Sequence, residues 1–297
     1  MEVGICLPYS EPGITRQTLI DWCRALEDGP FGAVSCGERI SGPDAMEMRN
    51  MLAGAALLTE RIRIIPTLYI LPMHNAVWAA KEIATLDILS EGRVDVVVGT
   101  GGRPNDYAAI GADFATRNAR LPEQVATMRE TWAGKPPFEG SEIIGPVPYQ
   151  KGGPRVLGGF AGPKAIRKSA AWADGLYGFS IPGHASEIKD KMDWFEEGWA
   201  AAGRTGKPYK IGGFWYSLAD NAREGLHHYV YEYLRIAGHD FATSVADTMT
   251  QHDPGLILET MRAMKETGID ELFMVPASPD VTEVTRLAKL VDRKSTV

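Results

Sequence analysis

Asn75 to Gly111, NAVWAAKEIATLDILSEGRVDVVVGTGGRPNDYAAIG, reads as a helix, a tight turn, a buried strand and a glycine-rich loop in direct succession. Val77, Ala80, Ala84 and Ile88 recur at helical spacing, joined by Ile83 and Leu86, which predicts one apolar helix face. Gly92 closes that helix, and Val94 to Val98 is too short and too β-branched to be anything but a strand. Where the strand ends, Gly99, Thr100, Gly101 and Gly102 offer backbone N–H groups and one hydroxyl. In parallel α/β folds, ligands sit at the carboxyl ends of strands.

The same alternation runs outward in both directions. Upstream, Val3 to Leu7 leads to a helix from about Thr15, Phe31 to Cys36 to one from about Asp44 to Thr59, and Ile62 to Leu71 to the helix above. Downstream comes a long helix containing Leu121, Val125, Met128 and Trp132, then a proline- and glycine-rich insertion from Gly134 to roughly Pro154. Further strands are predicted at Arg155 to Leu157, Leu176 to Phe179, Lys210 to Leu218 and Glu271 to Val275. Helices follow to about Ala237, from about Gly255 to Glu266 and from Val281 to Val291. Eight strand–helix pairs without a linker predict one α/β domain over residues 1–297, a (β/α)8 TIM barrel with an insertion after the fourth unit. An open dinucleotide-binding sheet is the rival, but Pro104 stands where its GxGxxG fingerprint needs glycine.

Composition narrows the function. The net charge of −7 is spread through the chain with no basic stripe, which argues against a nucleic-acid partner. No apolar run reaches about 18 residues and the start, MEVGICLPYSEPG, lacks a signal pattern, so a soluble cytoplasmic protein without membrane contact is expected. Cys6, Cys23 and Cys36 have no CxxC spacing and read as buried, reduced thiols. His184, His227, His228, His239 and His252 form no HxH or HExxH, so no metal site is expected, and no GxSxG elbow is present.

Four strand exits carry the candidate chemistry: Cys36 to Ile40, Thr67 to Ile70, Thr100 to Asp106 and Phe160 to Lys164. At the fourth strand's exit, Thr100, Asn105 and Asp106 converge on a ligand position, unless the loop is only a glycine-rich turn. Gly162 and Pro163 open a helix whose free N–H groups suit a phosphate, with Lys164 and Arg167 adding charge, although many helices begin with Gly-Pro. Trp172 and Ala173 read as core. Glu38 and Arg39 offer an acid or base and an anion holder, or else a surface salt bridge. His74 either borders the pocket or caps the next helix.

From its first strand to the closing GIDELFMVPASPD, the chain resembles the luciferase-like flavin and deazaflavin oxidoreductase family. The likeness is closest at VGTG, with asparagine four residues after the second glycine. It implies Thr100, Gly101 and Asn105 as cofactor contacts, and the turn Ala161, Gly162, Pro163 as the holder of the cofactor's phosphate. It also implies a bulge at Thr67 and Leu68, often with a non-proline cis peptide, under the cofactor's central ring. Relatives carry Asp-His or Glu-His after the second strand. Here Glu38 and Arg39 stand as the catalytic pair, and Gly102 replaces a glutamate found in several relatives. The leading reading is F420-dependent hydride transfer to or from a small organic substrate. The alternative is a reduced-FMN-dependent monooxygenase served by a flavin reductase, followed by a flavin-binding protein without turnover and by a phosphate-binding barrel hydrolase or isomerase. Relatives imply a homodimer. The insertion after Gly134 and the loop after His239 are candidate lids or dimer contacts.

Overall fold

Short β-branched runs separated by longer amphipathic ones leave the chain one economical way to bury both sheet faces, and the computed structural model, which describes residues 1–294, adopts it. Strands β1 (Glu2–Cys6), β2 (Ala33–Cys36), β3 (Arg63–Tyr69), β4 (Asp95–Val98), β5 (Arg155–Gly159), β6 (Gly175–Phe179), β7 (Tyr209–Tyr216) and β8 (Glu271–Pro276) pair in parallel, in chain order, and close on themselves. Around them lie α1 (Arg16–Asp28), α2 (Met48–Leu58), α3 (Ala76–Leu89), α4 (Pro104–Ala109), α5 (Arg117–Trp132) and α6 (Pro163–Ser169). The ring continues with α7 (Ala185–Ala201), α8 (Ala222–Leu234), α9 (His239–Ala246), α10 (Pro254–Glu266) and α11 (Thr282–Lys294). This is the (β/α)8 barrel. Residues 295–297 of the predicted domain span lie outside the described residues.

Two layers of core follow from the alternation of side chains along each strand. Ala33, Ile65, Val97, Leu157, Tyr177, Ile211 and Phe273 fill the barrel's interior, while a larger cluster joins the outer strand faces to the helices. Cys6, Cys23 and Cys36 are free and buried, and burial pushes the Cys6 and Cys23 thiols up to about 12. No helix among the described residues is long and apolar enough to cross a membrane.

Several sequence expectations need correction. The buried face of α3 is Ala79, Ala80, Ile83, Ala84, Leu86 and Asp87, whereas Ile88 is exposed and Val77 only half-buried. The Asp87 carboxylate is turned inward instead, accepting from the backbone N–H (2.8 Å) and side-chain amide (2.7 Å) of Gln150. That contact also pins the insertion, whose residues 133–154 form neither helix nor strand. His74 does not cap α3. Asn75 does, its Oδ1 accepting from the N–H groups of Val77 and Trp78. The segment from His239 is not a loop but helix α9, packed against α8.

The amino-terminal end of the barrel is closed by charge. Arg63, first in β3, donates to Asp95 (2.7 Å), Glu271 (2.5 Å) and the Tyr209 hydroxyl (3.0 Å), and Arg155 grips Asp95 at 2.9 and 2.8 Å.

Candidate functional site

At the carboxyl end of β2 the chain leaves the barrel through Gly37. Here a Cβ would lie 2.5 Å from the Tyr9 hydroxyl, so glycine lets the Tyr9 ring pack against this loop. Glu38 then points across to the exit of β3. Its Oε2 accepts from the Ile70 N–H at 2.6 Å, its Oε1 lies 2.6 Å from His74 Nε2, and its side chain is 4% exposed. The carboxylate–histidine pair that the second strand lacks in sequence is therefore assembled in space, with the imidazole supplied by the β3–α3 loop. The His74 ring stands edge-on to Tyr69, centroids 4.8 Å apart, and its Nδ1 makes no protein hydrogen bond among the described residues. If Glu38 accepts the Nε2 proton, Nδ1 presents a lone pair to the site.

Arg39 forms no ion pair among the described residues; its Nε donates to the Ser41 carbonyl at 2.7 Å, folding the side chain over its own loop. Asp106 corrects the expectation of three polar groups converging on a ligand. It is 1% exposed and holds that same loop, accepting from the Ile40 and Ser41 N–H groups at 3.3 and 3.1 Å and from the Ser41 hydroxyl. A short helix that the sequence did not reveal, α4, carries it there. Asn105, one residue earlier, is exposed. The Thr100 carbonyl accepts from the Tyr107 hydroxyl at 2.6 Å, which fixes the loop and leaves the threonine hydroxyl without a protein partner among the described residues.

Strand β3 carries the bulge at the expected place. Thr67 pairs with Val97 but Tyr69 pairs with Val98, so Leu68 is the extra residue, and the Thr67–Leu68 peptide is cis. Room for the Leu68 side chain is made by glycines. A Cβ on Gly159 would come within 2.1 Å of it and one on Gly99 within 2.7 Å. Gly101, at φ +58°, packs against Ile70.

On the neighbouring exit, Ala161, Gly162 and Pro163 begin α6 in exposed positions, and no atom lies within 4 Å of where a Gly162 Cβ would stand. That open backbone fits an approaching phosphate group. Arg167, expected to add charge there, instead pairs with Glu197 of α7 at 2.7 Å. Trp172, read as core, is partly exposed and edge-on to Phe160, while Ala173 is fully buried.

The opposite arc of the mouth, from β6 round to β1, was not singled out in sequence. Phe179 meets Trp215 at 5.3 Å, and Trp215 meets Tyr229 and Tyr233 of α8 at 5.7 and 4.9 Å. Beside them Glu11, 7% exposed, takes its hydrogen bonds only from backbone N–H groups of its own turn, Ser10 at 3.1 Å among them. Burial raises its carboxyl to about 6, against the weaker pull of its backbone hydrogen bonds and Arg39.

Comparison with known proteins agrees with this architecture. The chain is 31% identical over 178 residues to the uncharacterized Mycobacterium tuberculosis protein Rv0953c, a match covering 56% of this chain and 62% of that one. It is 30% identical over 167 residues to the F420-dependent glucose-6-phosphate dehydrogenase of Mycolicibacterium smegmatis, covering 52% and 46%. These matches thus span less than two thirds of the relatives' own lengths. The monooxygenase RslO1 of Streptomyces bottropensis superposes with a TM-score of 0.77 at 18% identity, over 98% of this chain and 97% of that one. A family model described as luciferase-like monooxygenase matches residues 1–293, and the chain belongs to that family.

Proposed function

We propose that this chain is an F420-dependent oxidoreductase passing a hydride to or from a small organic substrate. The observation that carries the reading is the Glu38–His74 pair set beside the Leu68 bulge, a proton-exchanging group next to a surface shaped for a ring system. When bound, the deazaflavin supplies the carbon that gives or takes hydride. The rest falls to this chain. Thr67 and Leu68 would support the cofactor's ring system, Thr100, Gly101 and Asn105 would border it, and the open backbone of Ala161, Gly162 and Pro163 would hold its phosphate. Glu38 fixes His74 so that Nδ1 takes or returns the proton that accompanies hydride transfer. Arg39, its Nη groups unpartnered among the described residues, stabilises negative charge developing nearby.

A second reading, a reduced-FMN-dependent monooxygenase with a separate flavin reductase as partner, is favoured by the family's own description. Fluorescence titration of the purified protein with F420 and with FMN, oxidised and reduced, separates them. Tight binding of F420 alone supports hydride transfer, preference for reduced FMN supports the monooxygenase, and binding of neither overturns both. We further propose a homodimer through the flank of α2 and α3, where Leu57, Trp78, Ile88 and Leu89 are exposed beside a cleft of about 290 Å³. Sedimentation of Trp78→Glu as a monomer beside a dimeric parent checks it.

A further inference from the structure

We propose that the arc of the mouth from β6 to β1 is a substrate subsite for a small, uncharged aromatic or alicyclic molecule bearing hydroxyl or carbonyl oxygens. The proposal rests on the oxidoreductase reading above and names the class of molecule that reading leaves open.

The first observation is the wall. Phe179, Trp215, Tyr229 and Tyr233 form a continuous series of edge and tilted ring contacts, and Tyr177 extends it into the barrel, 6.2 Å from Phe179. Such a wall receives ring faces and edges and gives little to a hydrated anion. The second is the hydroxyls. Those of Tyr9, Tyr177, Tyr229 and Tyr233 make no hydrogen bond within the protein among the described residues, although Tyr9, Tyr177 and Tyr229 are each less than 10% exposed. None of the four oxygens is sealed off from solvent. By contrast Tyr69, Tyr107, Tyr209, Tyr216 and Tyr231 all have protein partners. Four hydroxyls on one wall, each reaching solvent and none held by the protein, are free to bond a ligand's oxygens.

The third is charge. Burial chiefly raises the Tyr229 phenol, with Glu11 adding to the rise and Arg39 opposing it, and Arg103 and Arg39 both oppose the rise at Tyr233, so charges of both signs act on the arc. Position ties the arc to the Glu38–His74 pair, because the Tyr9 hydroxyl lies against Gly37, the residue before Glu38. Tyr177 lies at the far side with its hydroxyl against Gly213.

The test is calorimetric titration of the full chain with 4-hydroxyacetophenone, toluene and glucose 6-phosphate, repeated on Tyr229→Phe, Tyr233→Phe and Trp215→Leu, with F420 and FMN titrated in parallel. Binding of 4-hydroxyacetophenone at least tenfold tighter than the other two is expected. Each Tyr→Phe change should weaken it by about threefold to tenfold, the worth of one hydrogen bond, with cofactor affinity unchanged. Equal binding of toluene, or tighter binding of glucose 6-phosphate, overturns the proposal, as does indifference of 4-hydroxyacetophenone to all three substitutions. A parent chain that binds 4-hydroxyacetophenone in this pattern but neither cofactor supports the ligand class and overturns the oxidoreductase reading instead.

Discussion

The two ends of one barrel treat charge in opposite ways. At the amino end, Arg63, Arg155, Asp95 and Glu271 are interlocked, and Glu271 is fully buried. Buried carboxylates are tied at the carboxyl end too, Asp106 to Ile40 and Ser41 and Glu283 to Ser217 and Leu218, as Asp87 is to Gln150. At the carboxyl end, Glu11 keeps only backbone partners, Arg39 has no acid within ion-pair distance, and four tyrosine hydroxyls have no protein partner among the described residues. The strands that run between these ends are the same. The acids and bases of the amino end are paired with one another, although the buried Glu271 Oε1 has no hydrogen-bond partner, whereas Glu11, Arg39 and the four phenols of the mouth have no side-chain partner among the described residues.

The sharpest way to break this contrast is Arg63→Met. It removes the cation shared by Asp95, Glu271 and Tyr209 and leaves the buried Glu271 carboxylate only the Tyr209 hydroxyl at 3.2 Å, so a loss of about 3–5 kcal/mol is expected. Urea unfolding measures it, and a loss below about 1 kcal/mol would show the ring to be dispensable. The corresponding change at the mouth, Glu11→Gln, should act in the other direction. The Glu11 carboxyl rises from the usual 4.5 to about 6 on folding, so the folded chain holds this proton more tightly than the unfolded one. The group's contribution is fully present below about pH 4.5 and is lost as pH rises through about 6, costing the parent about 2 kcal/mol at pH 8. Glutamine escapes that cost. Thermal unfolding should therefore show the variant more stable than its parent at pH 8 and equal to it at pH 4; parallel pH curves would refute the assignment.

Glu38→Gln probes a charge of intermediate kind, tied to structure yet facing the site. Losing a charge-assisted bond to His74 and one to Ile70 should cost about 1.5–3 kcal/mol. The His74 ring-proton resonances should also move in the NMR spectrum, because the carboxylate that orients the imidazole through Nε2 is gone. An unmoved His74 resonance would detach the pair from function.

The barrel itself was legible because hydrophobic period and turn chemistry agree along the whole chain, and the bulge with its cis peptide at Thr67–Leu68 because resemblance marks it. What was hidden depended on direction and distance. Glu38 and His74 are 36 residues apart and meet only because β2 and β3 are neighbours. Asp106 looked like a ligand group beside a glycine loop, and only its inward turn reveals a brace for the Ile40–Ser41 backbone. Ile88 fitted the helical period, yet it is exposed while its neighbour Asp87 is buried and bonded to Gln150, a polar contact that no hydrophobic period announces. The aromatic arc carries no motif, since a tyrosine with a free hydroxyl and one with a partner are the same letter.

The smallest predicted effects lie at the start of α6, where two cations near Gly162 separate the two kinds of charge again. Arg167 is paired with Glu197 at 2.7 Å on an open surface, a contact worth about 0.2–1 kcal/mol of stability. Lys164 stands one residue after Pro163, exposed and without an ion pair among the described residues. If unpaired charge at the carboxyl end serves ligands, Lys164→Ala should weaken F420 or FMN binding by about threefold to tenfold at low salt. The effect should shrink as ionic strength rises and leave unfolding unchanged. Arg167→Ala should do the reverse, lowering stability slightly while cofactor affinity holds. Equal effects of the two substitutions on binding would mean that pairing with Glu197 does not remove Arg167 from the phosphate's field, and the contrast between spent and unspent charge would fail at this turn.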